Sequence, residues 1–112
     1  MDVEGAEWDT LAQASDSTLD RIDQLAIELH GVDDPDRLAA VIRRLKKFFY
    51  VASLHFNNFA CQDDVAPFPA WAYEALFVNK RIAIVGGSAP AAALRSQLAP
   101  NNPQRADCQI EK

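Results

Sequence analysis

The pattern of apolar and polar positions predicts two strands separated by an amphipathic helix. Residues 23–30 alternate, with Leu25, Ile27 and Leu29 on one face and Ala26, Glu28 and His30 on the other. Residues 34–49 carry apolar side chains at helical spacing, at positions 38, 41, 42, 45, 48 and 49. Residues 50–56 are rich in β-branched and aromatic side chains, which favours a second strand. The order strand, helix, strand predicts a right-handed βαβ unit with parallel pairing.

Other segments complete an α/β pattern of helix, strand, helix, strand and strand. A first helix is predicted to begin near Gly5, because Trp8, Leu11, Ala12 and Ser15 recur at helical spacing. Residues 71–78 predict a last strand, and a short apolar stretch at 82–85 follows the Asn79–Lys80 turn. Residues 86–112 form a tail rich in Pro, Ala and Asn, with one helical turn expected over 91–98. We therefore divide the chain into an α/β domain, 1–85, and a tail, 86–112.

Length, composition and charge exclude several classes of protein. The chain has 112 residues, 49% of them apolar and 24% charged, which is typical of one globular domain. The net charge of −5 argues against a protein that binds the phosphate backbone of nucleic acid. No apolar run approaches the roughly 20 residues that cross a bilayer, so we expect no membrane span. A basic cluster at residues 43–47 is interpreted as the solvated face of an outer helix.

The two cysteines, Cys61 and Cys108, form neither a disulfide framework nor a spacing typical of metal ligands. A single bridge between them is one alternative. Two unrelated thiols are the interpretation that we favour from the sequence.

Polar side chains gather where each predicted strand ends. The set comprises three groups: Asp2, Glu4 and Glu7; Glu28 and His30; His55, Asn57 and Asn58. In open α/β sheets, ligands bind beyond the carboxyl ends of the strands, so these residues are candidates for a site. The acidic residues also suit the positive end of the first helix, and the asparagines suit a turn. Asp2 and His55 form the pair that we expect to be functional.

Four segments, MDVEGAEW, LAIELH, SLHFNNF and AYEALFVNK, occur in that order along the chain. Together they resemble the C-terminal half of FkbM-type and methyltransferase-like S-adenosylmethionine-dependent methyltransferases. The most specific piece is Asp2-Val3-Glu4-Gly5-Ala6-Glu7, which is similar to the motif that ends the fourth strand in that family. The resemblance implies a partial Rossmann-like methyltransferase sheet, strands four to seven, with flanking helices and an irregular C-terminal tail.

The resemblance also implies roles for the strand-end residues. It assigns catalysis to Asp2, Glu4, His30 and His55, with Asp2 also lining the methyl donor. It assigns substrate binding to Glu7, Asn57 and Asn58. S-adenosylmethionine is the implied cofactor, and a small molecule or sugar is the implied methyl acceptor.

The chain departs from that family on the cofactor side. It has no Gly-rich loop after a first strand, and its one Gly-Gly pair, Gly86-Gly87, follows the last predicted strand. The resemblance therefore implies that Met1 is an internal residue of a longer protein. We expect weak or no cofactor binding, and no activity, from this chain alone.

Three further expectations follow from these patterns. The chain is alternatively a divalent-metal-binding α/β protein, because two histidines and several carboxylates lie at three strand ends. It is alternatively a non-catalytic methyltransferase remnant. Because the resemblance implies a sheet without its cofactor-side strands, we also expect self-association through the exposed sheet edge beside residues 23–30.

Overall fold

The computed structural model describes residues 1–31, 35–62, 70–84, 86 and 100–108. Within them lie three helices and three strands: α1 (Glu7–Gln13), α2 (Asp16–Arg21), β1 (Gln24–His30), α3 (Pro35–Phe48), β2 (Phe49–Phe56) and β3 (Ala72–Asn79). The predicted strands and the long helix are confirmed to within one residue at each end. The fold is mixed α/β.

The sheet is antiparallel and has the order β1-β3-β2. The predicted parallel pairing of the two strands that flank the helix is therefore wrong, because β3 lies between them. Both outer strands run antiparallel to β3, so they run in the same direction as each other. The sequence of β3 explains its central place, because its side chains are buried or half-buried along its whole length.

The first predicted helix is two helices with a break at Ala14 and Ser15. The Ser15 hydroxyl accepts a hydrogen bond from the Thr18 N–H at 3.1 Å, which caps the second helix and favours a new start there. Arg44 donates to the carbonyls of Leu11 and Ala12, both at 3.0 Å, and also to Ala14. One member of the basic cluster therefore caps the end of α1 instead of facing only solvent.

The helices pack against the apolar face of the sheet. Ile27, Leu29 and Phe77 contribute from the strands, and the core also includes Trp8, Leu11, Leu19, Val41 and Leu45 from the helices. Each such side chain contributes about 1.5–3 kcal/mol by leaving water. The alternation predicted for β1 is confirmed, because Ile27 and Leu29 are buried whereas Glu28 and His30 are only half-buried. The polar side chains are thus left on the opposite face of the sheet.

Cys61 and Cys108 form a disulfide bond, so the favoured interpretation of two unrelated thiols is wrong. The bond joins the segment after β2 to residues 100–108. Their separation of 47 residues along the chain gives no local signal of this contact. The buried Asn58 amide reinforces the junction by donating to the carbonyls of Asn102 and Arg105 at 2.9 and 3.0 Å.

The remaining expectations concern the C-terminal region and the membrane. The described residues 100–108 form turns and bends, as expected for an irregular tail, and residues 82–84 do not form a strand. The helical turn expected over 91–98 lies outside the described residues. No helix in the described part of the chain combines the length and the apolar character needed to cross a membrane.

Candidate strand-end site

The segment before α1 lies beside the free edge of β1. Met1 donates from its terminal amine to the Ala26 carbonyl and accepts from the Glu28 N–H at 2.9 Å. These two bonds place Met1 alongside Ile27 in the pattern of a parallel strand pair. The chain then turns through Glu4 and Gly5, which have φ values of 52° and 102°. Gly5 adopts this conformation freely, whereas Glu4 pays about 1 kcal/mol of backbone strain.

Glu7 holds this turn in place from the first residue of α1. Its side chain is fully buried and accepts hydrogen bonds from the N–H groups of Val3 and Gly5, at 3.0 and 2.9 Å. It also contacts His30 Nδ1 at 3.0 Å. Burial raises the pKa of the Glu7 carboxyl, but the backbone N–H groups and His30 outweigh burial, so the pKa lies below its ordinary value. Glu7 is therefore a buried carboxylate that fixes both the turn and the imidazole.

Carboxylates surround His30 and form a group that we call the His30 cluster: Asp2, Glu4, Glu7, Glu28 and His30. One ligand atom from each of Asp2, Glu28 and His30 lies within 4.8 Å of the others. Glu4 Oε2 lies 3.5 Å from His30 Nε2. The Trp8 indole donates to the His30 carbonyl at 2.7 Å, which fixes the backbone at the end of β1.

Glu28 connects the His30 cluster to the rest of the sheet. It lies opposite Glu74 in β3, and Glu74 lies opposite His55 in β2, so the three side chains share one row and one face. The Asn57 amide spans the row by donating to Glu28 Oε1 at 2.8 Å. Residues from the ends of all three strands therefore meet on the polar face of the sheet.

His55 is the most enclosed titratable group in this row. Its Nδ1 lies 3.2 Å from Glu74 Oε2, and its side chain is only 9% exposed. Its Nε2 is buried and has no hydrogen-bond partner among the described residues, with Asp107 Oδ1 at 3.7 Å. His55 also lines a cavity of about 50 Å³ that we call the His55 pocket, together with Leu54, Phe56, Asp107 and Cys108. An imidazole held at Nδ1 and free at Nε2 can accept a proton from a group in that pocket.

The sequence-predicted residues thus lie at one end of the sheet but have different environments. Asp2 and Glu4 are exposed, and His30 is half-buried. Asn57 engages Glu28 and caps its own turn by accepting from the Phe59 N–H at 3.0 Å. Glu7 and Asn58 are fully buried, so each acts by positioning other groups.

Sequence reasoning missed Glu74, Asp107 and Asn101 as members of this region. Asn101 donates to Glu74 Oε1 at 2.6 Å, and Glu74 in turn contacts His55. A charged residue inside the otherwise apolar β3 was the available signal for Glu74, since a half-buried carboxylate needs a partner. Asp107 gave no signal, because its approach depends on the distant disulfide.

The geometry as a whole combines two oriented imidazoles with carboxylates at one end of a sheet. Such an arrangement suits proton transfer or the binding of a cation. Comparison with known proteins found no matching family model, no matching curated protein and no matching solved structure.

Proposed function

We propose that this chain is the acceptor-side part of an S-adenosylmethionine-dependent methyltransferase, with His55 as the base that receives the proton of the acceptor. The observation that carries the proposal is the His55 imidazole, which lines the His55 pocket, contacts Glu74 at Nδ1 and has a buried Nε2 with no hydrogen-bond partner among the described residues. The resemblance of four segments to the methyltransferase family supplies the reaction class.

The proposal includes a larger Rossmann-like sheet, in which β1, β3 and β2 are the strands at one edge. Two observations support it. The strands that flank α3 run in the same direction, and Met1 hydrogen-bonds to β1 in a parallel pattern on the edge away from β3. The Asp2–Glu7 motif would then lie at the carboxyl end of the strand next to β1, where ligands bind in open α/β sheets.

The described residues fit the acceptor side of methyl transfer. When bound, the methyl donor supplies an electrophilic methyl group on a positively charged sulfur. Asp2 is exposed and lies within the His30 cluster, so its carboxylate offers negative charge toward that sulfur. Glu4 and His30 orient the acceptor, and Asn57 holds Glu28 in the same row. Alignment of this kind is the main contribution that a protein makes to an in-line displacement.

His55 completes the proton balance of the reaction. As the acceptor oxygen or nitrogen forms its bond to the methyl carbon and the carbon–sulfur bond breaks, the acceptor proton passes to His55 Nε2. Glu74 and Asp107 stabilise the resulting imidazolium, because their carboxylates lie 3.2 and 3.7 Å from the two ring nitrogens. A base in this position contributes about 10²–10⁴-fold to such a step.

Titration with S-adenosylhomocysteine, followed by amide NMR, tests this proposal. We expect weak binding that shifts the amide signals of residues 2–5 and of the segments around His30 and His55. Asp2→Ala should reduce these shifts, whereas Asp20→Ala should retain them, since Asp20 is an exposed carboxylate beside Arg81 at the other end of β1. Adenosine serves as the control ligand.

Two outcomes would contradict the proposal. Shifts confined to the Asp20 end of β1 would place the ligand away from the predicted site. A complete lack of amide shifts at millimolar S-adenosylhomocysteine would favour a non-catalytic remnant.

A further inference from the structure

We propose that Asp2, Glu28 and His30 form a binding site for a divalent transition-metal ion such as Zn²⁺. The three residues contribute two carboxylate oxygens and one imidazole nitrogen, which is a donor set that zinc accepts. This inference concerns cation binding alone and does not rest on methyl transfer.

The separation of the donor atoms is close to what an ion requires. The three atoms lie within 4.8 Å of one another. Zinc bonds of about 2.0–2.2 Å place neighbouring donors about 3–4 Å apart, so closure needs a shift of about 1 Å. Asp2 is exposed and can make that shift by rotating its side chain, while Glu28 and His30 are fixed by the strand.

The orientation of His30 also suits the binding of a metal ion. Glu7 is fully buried and contacts His30 Nδ1 at 3.0 Å. The same carboxyl accepts from the backbone N–H groups of Val3 and Gly5, so it acts as an acceptor and favours the tautomer in which Nδ1 is the donor. The lone pair of the neutral imidazole is then on Nε2, which is the nitrogen available to a metal. A carboxylate that holds the far nitrogen of a histidine is the usual companion of a metal-binding imidazole.

Asn57 holds the proposed ligand Glu28 in the way that Glu7 holds His30. Its amide donates to Glu28 Oε1 at 2.8 Å, which leaves the other oxygen of Glu28 for an ion. Both strand residues of the proposed site are thus held by a neighbouring polar side chain. The hydrogen bonds reach them from α1 and from the segment after β2, so the donors are positioned before an ion binds.

The charge balance also favours a cation. Asp2, Glu4, Glu7 and Glu28 lie around a single imidazole. Within the described ranges, no lysine or arginine forms an ion pair with any of these four carboxylates. Elsewhere in the same part of the chain, Asp9, Asp16, Asp20 and Asp23 each pair with an arginine. A divalent ion would supply the missing positive charge.

The coordination would be incomplete with protein ligands alone. Three donors leave at least one position on a zinc ion for water or for a bound substrate. Asp2 and Glu4 are exposed, so the position is accessible from solvent. Small molecules with a hydroxyl or carboxylate group are the chemical class that such a position would bind.

Titration of the purified chain with Zn²⁺, measured by calorimetry, tests the site. We expect one ion per chain. Asp2→Asn, Glu28→Gln and His30→Gln should each weaken binding at least tenfold. Glu7→Gln should weaken it several-fold through the imidazole. Asp20→Asn, which removes the same charge at the other end of β1, should leave the affinity unchanged.

Asp2→Asn decides the outcome if the other variants unfold, because Asp2 is exposed and outside the core. Circular dichroism confirms that each variant is folded. Absence of stoichiometric binding would overturn the proposal, as would wild-type affinity in Asp2→Asn or an equal loss in His55→Gln. Zinc binding without any response to S-adenosylhomocysteine would support this site and count against the proposed methyltransferase.

Discussion

Glu7 Oε1 and His30 Nδ1 lie 3.0 Å apart, although the two residues are separated by 23 positions along the chain. This contact joins the turn before α1 to the end of β1. Glu7 also accepts from the N–H groups of Val3 and Gly5, so one buried carboxylate determines both the backbone of the turn and the direction of the imidazole. The arrangement of Asp2 and Glu4 near His30 depends on this carboxylate.

Replacing Glu7 with glutamine should destabilise the chain and remove part of its acid sensitivity. Because the pKa of Glu7 is lowered from 4.5 in the folded state, its stabilising effect is present above pH 4.5. The effect disappears as the pH falls through the folded pKa. We expect a loss of about 1–3 kcal/mol at neutral pH, since a glutamine amide cannot satisfy all the donors that Glu7 accepts from.

Urea unfolding from about pH 7 to about pH 3 measures this effect. The difference between the wild type and Glu7→Gln should shrink as the pH falls. Asp20→Asn, an exposed control, should change stability by less than about 0.5 kcal/mol. A difference that stays constant with pH would contradict the assigned role of Glu7.

Loss of the disulfide should weaken the junction between β2 and the C-terminal segment. Cys61 and Cys108 are 47 residues apart, and closure of a loop of that size stabilises a fold by up to about 4 kcal/mol. The Cys61→Ser/Cys108→Ser variant should lose stability toward that limit. Reductant should destabilise the wild type by the same amount and leave the variant unchanged. Detection of two free thiols by a thiol reagent, in the denatured wild type without reductant, would contradict the disulfide bond.

Gly31 should tolerate no side chain without movement of Trp71. A Cβ atom at Gly31 would overlap the Trp71 indole, whose Cε3, Cδ2 and Cζ3 atoms are its nearest neighbours. We expect Gly31→Ala to cost about 1–3 kcal/mol and to alter the tryptophan fluorescence as Trp71 is displaced. At Gly5, an added Cβ would meet no atom within 4 Å, but the φ of 102° is strained for any residue with a side chain. We therefore expect Gly5→Ala to destabilise the chain and to leave the tryptophan fluorescence unchanged. Unaltered fluorescence in Gly31→Ala would contradict this packing.

We expect the outer edge of β2 to mediate self-association, although the sequence predicts the edge on the β1 side. No strand among the described residues pairs with this edge. Tyr50 and Val51 in β2 are 45% and 51% exposed. Sedimentation velocity over a concentration series should therefore detect dimers or larger species. Val51→Lys should reduce them, because a charge on an edge strand opposes pairing with a second chain.

Ile84→Lys is the matched control for this experiment. Ile84 is 99% exposed and lies outside the sheet, so the variant adds the same charge without altering the β2 edge. Self-association should persist in Ile84→Lys. A wild type that remains monomeric at all concentrations would contradict the expectation.

The sequence was sufficient to predict the strands, because their periodicity reflects burial on one face. Ile27 and Leu29 alternate with Glu28 and His30, and the structure buries the first pair more deeply than the second. The pairing of the strands was not predictable in the same way. Hydrogen bonds between strands involve only backbone groups, so nothing in β1 or β2 indicated that β3 lies between them.

In the candidate site, too, individual residues were predictable from the local sequence, whereas their contacts with distant residues were not. Asp2, His30 and His55 were identifiable because each interrupts or ends an apolar segment. The partners that orient the imidazoles are Glu7 and Glu74, and the contacts cross 23 and 19 positions of the chain. Such contacts depend on how the elements pack. The approach of Asp107 to His55 depends in addition on a disulfide that the cysteine spacing did not reveal.

Glu7 and Glu74 each lie within hydrogen-bond distance of a histidine Nδ1, whereas the Nε2 atoms have carboxylates at longer range, Glu4 at 3.5 Å from His30 and Asp107 at 3.7 Å from His55. Long-range proton–nitrogen NMR of the imidazole rings, recorded where both are neutral, measures which nitrogen carries the proton. We expect a protonated Nδ1 and a bare Nε2 in both rings, and a loss of this preference at His30 in Glu7→Gln and at His55 in Glu74→Gln. A protonated Nε2 in both wild-type rings would contradict this expectation.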